Sequence, residues 1–511
     1  AAPRAVPQDA LLAVTSTVVD GGWLVAGLTA LVLFAAGVGY GRLAHRLVPG
    51  AGVAGAVVAA TLGIWNPFVA ERLLQGHWSL LAGYAALGWI VCGVLDVNDA
   101  GSRAGVRSWA RLAAMSAVGG LTPTGSLLVL IVAAATVLAV GFPWNKALLA
   151  LGLWLATASP WLVGAAVSSG VGSSGGAAAF ALRGEPWLGT VGTALGLGGI
   201  WNEDAVPGSR TSPWALVATA AILVVVAIGT RQLFWKRDGD RAAPCVTALG
   251  VLACVSVALV VVAATPPGLA AMDFLLAHVP GAGLLRDAQK YLALAMPFAA
   301  VAAAASVVAL RRLVPAGFAA AAVAAMIVAP LPDLAWGVGG SVRPVAFPDD
   351  YARVTALIGD DPAGRQGAVA LWPADQVRRL SWTGGPSLTP LPRMLNAPVV
   401  VSGALTVDGQ QIDVPVGRTA EIVDAIDTAD GARRLADLGV GWVIVEEADP
   451  PAALTAATPV FAGDHLRAYR IDDAKPPPTP GESAWAAAII AFALWVGAIL
   501  VGAVSRIRRG R

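Results

Sequence analysis

The stretch Asn66-Pro67-Phe68-Val69-Ala70-Glu71-Arg72-Leu73-Leu74-Gln75-Gly76-His77-Trp78 lies between two apolar segments, each long enough to cross a membrane. It packs a carboxylate, a guanidinium, an amide and an imidazole into a short piece of very apolar chain. Ionisable groups are costly at membrane depth, so such a cluster at a helix–helix junction reads as a functional site. The alternative is a short interfacial loop whose charges face water. Spacing alone leaves both readings open.

Outward from this stretch, the chain reads as membrane protein nearly throughout. Of its 511 residues 57% are apolar and only 13% charged, with a mean hydropathy of +0.71; soluble chains carry about 25% charge. Apolar runs of about 20 residues recur, each matching a hydrocarbon core of about 30 Å. A net charge of +2 gives no support to a nucleic-acid partner. Cys92, Cys245 and Cys254 all fall in apolar segments and read as buried thiols. No CxxC, HExxH, Walker or strand-linked GxGxxG pattern occurs, which removes sequence support for nucleotide hydrolysis and zinc chemistry.

Spans are expected near 21–40, 51–69, 79–96, 109–121, 124–141, 147–167, 213–233, 244–264, 291–310, 314–332 and 484–504, about eleven in all. Arg42, His45 and Arg46 follow the first span and mark the cytoplasmic side. The same assignment places Arg103, Arg107 and Arg111, then Lys146, then Arg231, Lys236, Arg237 and Arg241, then Arg311-Arg312, and finally Arg506, Arg508, Arg509 and Arg511 inside. Asp96 and Asp99 share that face and read as solvated loop charges. The C-terminus is then cytoplasmic and residue 1 extracytoplasmic. Residues 1–20 lack a signal-peptide layout, so an upstream span and part of an outside loop are expected to precede residue 1.

The chain divides into a transmembrane helical domain, 1–334, an extracytoplasmic α/β domain with a Pro-rich linker, 335–482, and a last span with a basic cytoplasmic tail, 483–511. In the middle region Ala368–Trp372, Pro398–Val401 and Trp442–Val445 read as buried strands, and 419–429 and 432–438 as helices. Within the first region a Gly/Ser-rich stretch, 168–209, suggests irregular backbone covered by protein or water.

The polar residues left near the membrane converge on the predicted outer face: Glu71, Arg72, His77, Glu185, Glu203, Asp204, Arg286, Asp287 and Lys290. Arg286 and Lys290 are four apart; on an α-helix they share a face and can grip a phosphate, one by its planar fork and one as a point charge. The plainer reading is a pair that anchors the helix end. Glu71 can act as base or metal ligand with His77 as partner, or pair structurally with Arg72. Glu203-Asp204 offers oxygen ligands for a divalent cation, or is simply solvated. No metal or cofactor site is assigned.

The Asn66–Arg72 stretch followed by Gly76 and Gly83-Tyr84 resembles a motif of bacterial GT-C-type membrane glycosyltransferases that depend on polyprenyl-phosphate sugars. So do Arg286-Asp287-Ala288-Gln289-Lys290 before a late span and Leu438-Gly439-Val440-Gly441-Trp442-Val443-Ile444-Val445 in an outside domain. The resemblance covers most of the chain. It implies a multi-pass protein of the bacterial plasma membrane that moves a sugar from a polyprenyl-phosphate donor to a cell-envelope glycan or lipid acceptor. Cell-wall arabinofuranosyl- and mannosyltransferases belong to that class. The family's catalytic acid lies in the first outside loop, which is expected to be incomplete here. Asp9 and Asp20 are the acids remaining in that region, and Glu71 is a third candidate.

The resulting expectation is an inverting transferase. A carboxylate deprotonates the acceptor hydroxyl and cations stabilise the leaving phosphate. Arg286 and Lys290 would meet the phosphate, Glu71, Arg72 and His77 the donor or acceptor, and the α/β domain the glycan, with Asp287, Glu203 and Asp204 as further substrate-binding candidates. Two other classes compete. A lipid-linked-sugar transporter predicts internal repeats and broken helices, of which Thr122-Pro123 is the clearest. A non-catalytic scaffold predicts that the outside acids can be neutralised without effect.

Overall fold

The computed structural model describes residues 6–100, 105–167, 176–235, 242–361, 367–407, 410–479 and 481–507. Arg103, Lys236, Arg237, Arg241, Arg508, Arg509, Arg511, the Arg506 side chain and positions 168–175 of the Gly/Ser-rich stretch lie outside the described residues.

Among the described residues eight helices are long and apolar enough to cross a membrane. They are Gly21–Leu47, Pro49–Leu74, Trp78–Asp99, Trp144–Val167, Trp214–Trp235, Ala243–Ala263, Ala288–Leu310 and Glu482–Val504. Ala316–Val328 with Pro332–Gly339, bent by 85°, makes a ninth if counted as one span. The difference from eleven lies mainly in helix length. Val106–Gly119 has 14 residues, about 21 Å at 1.5 Å per residue, short of the hydrocarbon thickness. Pro123–Ala139 has 17. Side chains such as Leu31, Phe34, Leu148, Leu155, Val255 and Leu259 remain exposed along these helices, where a lipid solvent would cover them. The chain is a multi-pass membrane protein.

The central pair, Gly21–Leu47 and Trp78–Asp99, is held by small residues where the backbones meet. A Cβ on Gly88 would stand 2.7 Å from the Gly39 carbonyl carbon, and one on Gly39 2.6 Å from the Trp89 ring nitrogen. Such close approach is how helices pack without a hydrophobic driving force between them. Two hydrogen bonds cross the same seam, Trp89 Nε1–H to the Ala35 carbonyl at 2.9 Å and Tyr40 O–H to the Tyr84 carbonyl at 2.9 Å. At the far end Asp99 is exposed, as expected, but Asp96 is mostly covered. Asp96 pairs with Arg42 at 3.2 Å and with Arg46, and Arg46 reaches Asp99 at 2.5 Å. Basic residues that signal orientation are here also half of an ion-pair network.

Among the described residues the sheet region contains nine strands: β1 Ala368–Trp372, β2 Val377–Arg379, β3 Pro386–Leu388, β4 Val399–Val400, β5 Leu405–Val407, β6 Gln410–Asp413, β7 Val440–Glu446, β8 Phe461–Ala462 and β9 Leu466–Arg470. Five form one sheet in the order β4-β1-β7-β9-β8, with β4, β1 and β7 parallel and β9 antiparallel to β7. The buried apolar runs expected at 368–372, 398–401 and 442–445 are its parallel strands. Hairpins β2–β3 and β5–β6 stand apart. Helices Arg418–Ile426 and Gly431–Asp437 bury Ile422, Ile426 and Leu435 against Val443 and Val445.

Gly88→Val should lower the melting temperature of the detergent-purified protein by several degrees, as expected for about 1–3 kcal/mol of overpacking. Gly152→Val, where a Cβ meets no atom within 4 Å, should leave it unchanged within about one degree. Equal melting of the two variants would contradict the close-packed seam.

Candidate functional site

The site begins with a helix break. Asn66 ends one helix and caps the next: its Oδ1 accepts from Val69 N–H at 3.0 Å, and Pro67 occupies the first helical position, where a missing N–H costs nothing. The Asn66 amide donates to the Leu62 carbonyl at 2.8 Å and to the Tyr84 hydroxyl at 3.1 Å, and Tyr84 donates to the Gly63 carbonyl at 2.8 Å. Phe68 stacks on Tyr84 with ring centroids 5.4 Å apart. The segment expected to be a loop is therefore a short helix, Pro67–Leu74. Glu71 and Arg72 on it are fully buried. The reading in which these charges face water does not hold.

Adjacent helical residues point in different directions, and Glu71 and Arg72 serve different partners. The Glu71 carboxylate accepts from Gly199 N–H at 2.8 Å, Ile200 N–H at 3.2 Å and the Gln289 amide at 3.0 Å. Gly199 has φ +93°, and a Cβ there would stand 2.5 Å from Leu182, so only glycine fits the turn that aims these amides at the carboxylate. Three of its roughly four acceptor positions are thus taken. Behind the same loop Glu185 forms a buried ion pair with Arg210, which also donates to the Ala215 carbonyl at 3.3 Å and the Thr219 hydroxyl at 3.3 Å.

Arg72 faces a second group. Its Nη1 lies 3.4 Å from Asp287 Oδ2 and 3.4 Å from His77 Nδ1, and its guanidinium sits 5.3 Å from the centre of the Phe68 ring. Lys290 Nζ lies 3.2 Å from the same Asp287 oxygen. Arg72 Nε and Nη2 and Asp287 Oδ1 are buried with no hydrogen-bond partner in the protein. Burial pushes the Asp287 carboxyl up, but Lys290, Arg72 and His77 outweigh it and hold it below the usual carboxylate range. In the turn between two spans, burial and then the Lys290 and Arg72 charges hold His77 well below its usual value. The cluster is thus two cations, one anion and a neutral imidazole.

The spacing argument for Arg286 and Lys290 fails on local geometry. Ala288–Ala295 is a 3-10 helix, whose three-residue period aligns Asp287 with Lys290 instead. Arg286 turns to the sheet region and binds Asp413 of β6 through two bonds, 2.7 and 3.0 Å, with its guanidinium 3.9 Å from the centre of the Phe180 ring. The remaining sequence candidates sit apart. Glu203 and Asp204 are exposed, and Asp204 pairs with Arg379 at 3.1 Å. Among the described residues no group of three or more His, Cys, Asp or Glu side chains could hold a metal ion. Asp20 caps the Gly21–Leu47 helix through Gly22 and Trp23 N–H. Asp9 meets Arg393 at 3.2 Å, and Ser79, two residues beyond His77, donates to its neighbour Gln8. Sequence reasoning passed over Gln289 and Arg210. Gln289 is uncharged, and Arg210 falls between the Gly/Ser-rich stretch and the next span.

In fold, the chain is similar to the arabinofuranosyltransferase AftD from mycobacteria, solved by single-particle cryo-EM, with TM-score 0.53 and 16% identity over 87% of this chain and 33% of that one. A mutant form of AftD gives TM-score 0.50 and 16% identity over 87% of this chain and 34% of that one. The chain spans about a third of the length of these structures. No described protein family and no curated protein matches the sequence.

The depressed His77 value has a sign. As pH falls through about 6.5, the ordinary histidine value, the unfolded chain takes up a proton that the folded chain refuses, so stability is lost on acidification. The melting temperature should fall between pH 7.5 and 5.5 by more in the wild type than in His77→Gln. Parallel pH profiles would contradict a buried neutral imidazole. Asp287 titrates below this window.

Proposed function

We propose that this chain is a membrane glycosyltransferase of cell-envelope assembly, taking a sugar from a polyprenyl-phosphate donor at the extracytoplasmic face. The observation that carries the reading is the Arg72 guanidinium, fully buried with two N–H-bearing nitrogens that no protein group accepts from. A buried donor without an acceptor costs about 1–3 kcal/mol, more when charged, and an oxyanion is the partner its planar fork suits. Lys290 stands on the other side of Asp287 and adds a second positive charge. The fold similarity to AftD supports the same reading.

In this account Arg72 and Lys290 bind the phosphate of the lipid donor. Asp287 keeps the two cations apart and charged. As the bond from the sugar's anomeric carbon to the phosphate oxygen breaks, negative charge grows on the phosphate, and the fixed cations stabilise it. The acceptor hydroxyl attacks from the opposite face and loses its proton to a carboxylate. Of the three candidate acids, Glu71 is occupied with backbone amides and Asp20 with capping. Asp9 is paired with Arg393, and we assign the base to it because its helix contacts Ser79, two residues beyond His77. Arg286 holds the sheet region in place and leaves phosphate binding to its neighbours.

Native mass spectrometry of the detergent-purified protein with polyprenyl phosphate tests the assignment. Arg72→Gln/Lys290→Ala should weaken binding by about tenfold or more, the equivalent of one charge-assisted hydrogen bond. Asp9→Asn should bind as wild type does and lose transfer. Wild-type affinity in the Arg72/Lys290 variant would sink the phosphate assignment, and retained transfer in Asp9→Asn would sink the base.

A further inference from the structure

Asp287 and Lys290, which face Arg72, sit on a stretch with little regular structure of its own. Residues 285–287 lie between two 3-10 helices, Ala282–Leu284 and Ala288–Ala295, whose hydrogen-bond geometry is poorer than that of an α-helix. The backbone alone therefore fixes the Asp287 carboxylate loosely. What fixes it firmly is the side chain next door. Both terminal nitrogens of Arg286 donate to Asp413, at 2.7 and 3.0 Å, and the guanidinium lies 3.9 Å from the centre of the Phe180 ring. Arg286 and Asp413 are both buried. A planar fork on a carboxylate sets direction as well as distance, and the aromatic face beneath it adds a second constraint.

Asp413 is itself held from two sides. It ends β6, and the preceding Ile412 sits against Gly176, where a Cβ would stand 2.4 Å from it. The hairpin β5–β6 is tied to the rest of the sheet region by Gln376 N–H to the Ala404 carbonyl at 2.9 Å and by the Thr406 hydroxyl to Asp375 at 3.1 Å. Two routes then lead from this one carboxylate to the buried charges of the Pro67–Leu74 helix. Arg286 adjoins Asp287, which meets Arg72 at 3.4 Å and Lys290 at 3.2 Å. Phe180, beside the same guanidinium, packs edge-on against Trp201 with centroids 4.8 Å apart. Trp201 directly follows Gly199 and Ile200, whose amides hold Glu71.

A pair that only fastened the sheet region to the helices would need no such place. Asp204 and Arg379 fasten the same region through an exposed pair at 3.1 Å, outside residues 285–290. We propose that Asp413 is a positioning residue of the lipid-phosphate site. Through Arg286 it sets where Asp287 and Lys290 stand, so the affinity of the Arg72 cluster for a phosphate depends on a carboxylate that the β5–β6 hairpin supplies. The inference rests on the proposed function in taking Arg72 and Lys290 as the phosphate site. It goes beyond that reading by coupling donor affinity to the seating of a hairpin from another part of the chain.

Two readouts on the detergent-purified full chain test it. Native mass spectrometry with polyprenyl phosphate reads affinity, and amide hydrogen exchange over residues 284–291 reads the stretch itself without ligand. Asp413→Asn should weaken binding by about tenfold, as for a lost charge-assisted hydrogen bond, and speed exchange in that stretch. Asp413→Glu keeps the charge and should recover affinity to within about threefold of wild type. Arg379→Ala loosens the sheet region elsewhere and should change neither readout. Added to Arg72→Gln/Lys290→Ala, Asp413→Asn should cause no further loss, because effects that run through the same groups do not add. Wild-type affinity in Asp413→Asn, no recovery in Asp413→Glu, or equal losses in Asp413→Asn and Arg379→Ala would overturn the inference. So would a full further loss in the Arg72/Lys290 background. A wild type that binds no polyprenyl phosphate would overturn the proposed function instead; exchange then decides the positioning, and an unchanged rate in Asp413→Asn would overturn that too.

Discussion

Two side chains of opposite charge, Glu71 and Arg72, are buried next to each other in sequence and reach different parts of the chain. Burying either charge alone costs several kcal/mol, so both need partners brought from a distance. Glu71 draws in the 198–200 loop and Gln289, and Arg72 draws in Asp287. The two sets meet in the segment before the Ala288–Leu310 span. The Asn66-Pro67 break is what makes this work, because it turns a second short helix inward at the end of the first. Without that break the same residues would continue along a straight span and face other neighbours. The site therefore depends on a cap and a proline as much as on its charges.

The sheet region is tied to the same place. Arg286, one residue before Asp287, is fixed by Asp413, while Asp204 meets Arg379, Asp9 meets Arg393 and Trp65 donates to the Leu331 carbonyl at 3.0 Å. The buried bidentate pair is the strongest of these by geometry, since exposed pairs contribute about 1 kcal/mol or less. Its position makes the sheet region a structural support of the Asp287–Lys290 segment.

Much of the architecture was legible in the sequence because apolar length and periodicity are local properties. The strands at 368–372 and 442–445 announced themselves as continuous apolar runs, and the Asn66–His77 stretch stood out by charge alone. What the sequence could not carry was the helix type before the Ala288–Leu310 span. An i,i+4 argument for Arg286 and Lys290 assumes an α-helix, and the 3-10 geometry moves Lys290 onto Asp287 and frees Arg286 to find Asp413 across 127 residues. The Glu185–Arg210 ion pair was equally hidden, because only the fold brings those two side chains together. The pairing of Arg42, read as a mark of orientation, with Asp96, read as a solvated charge, was missed for the same reason.

The most direct test is a cryo-EM structure of the full chain with polyprenyl phosphate bound. The account predicts a phosphate about 3 Å from Arg72 Nε or Nη2 and from Lys290 Nζ, with the Arg286–Asp413 pair intact. A phosphate held by Arg286, with Asp413 displaced and Arg72 still without an acceptor, would contradict it.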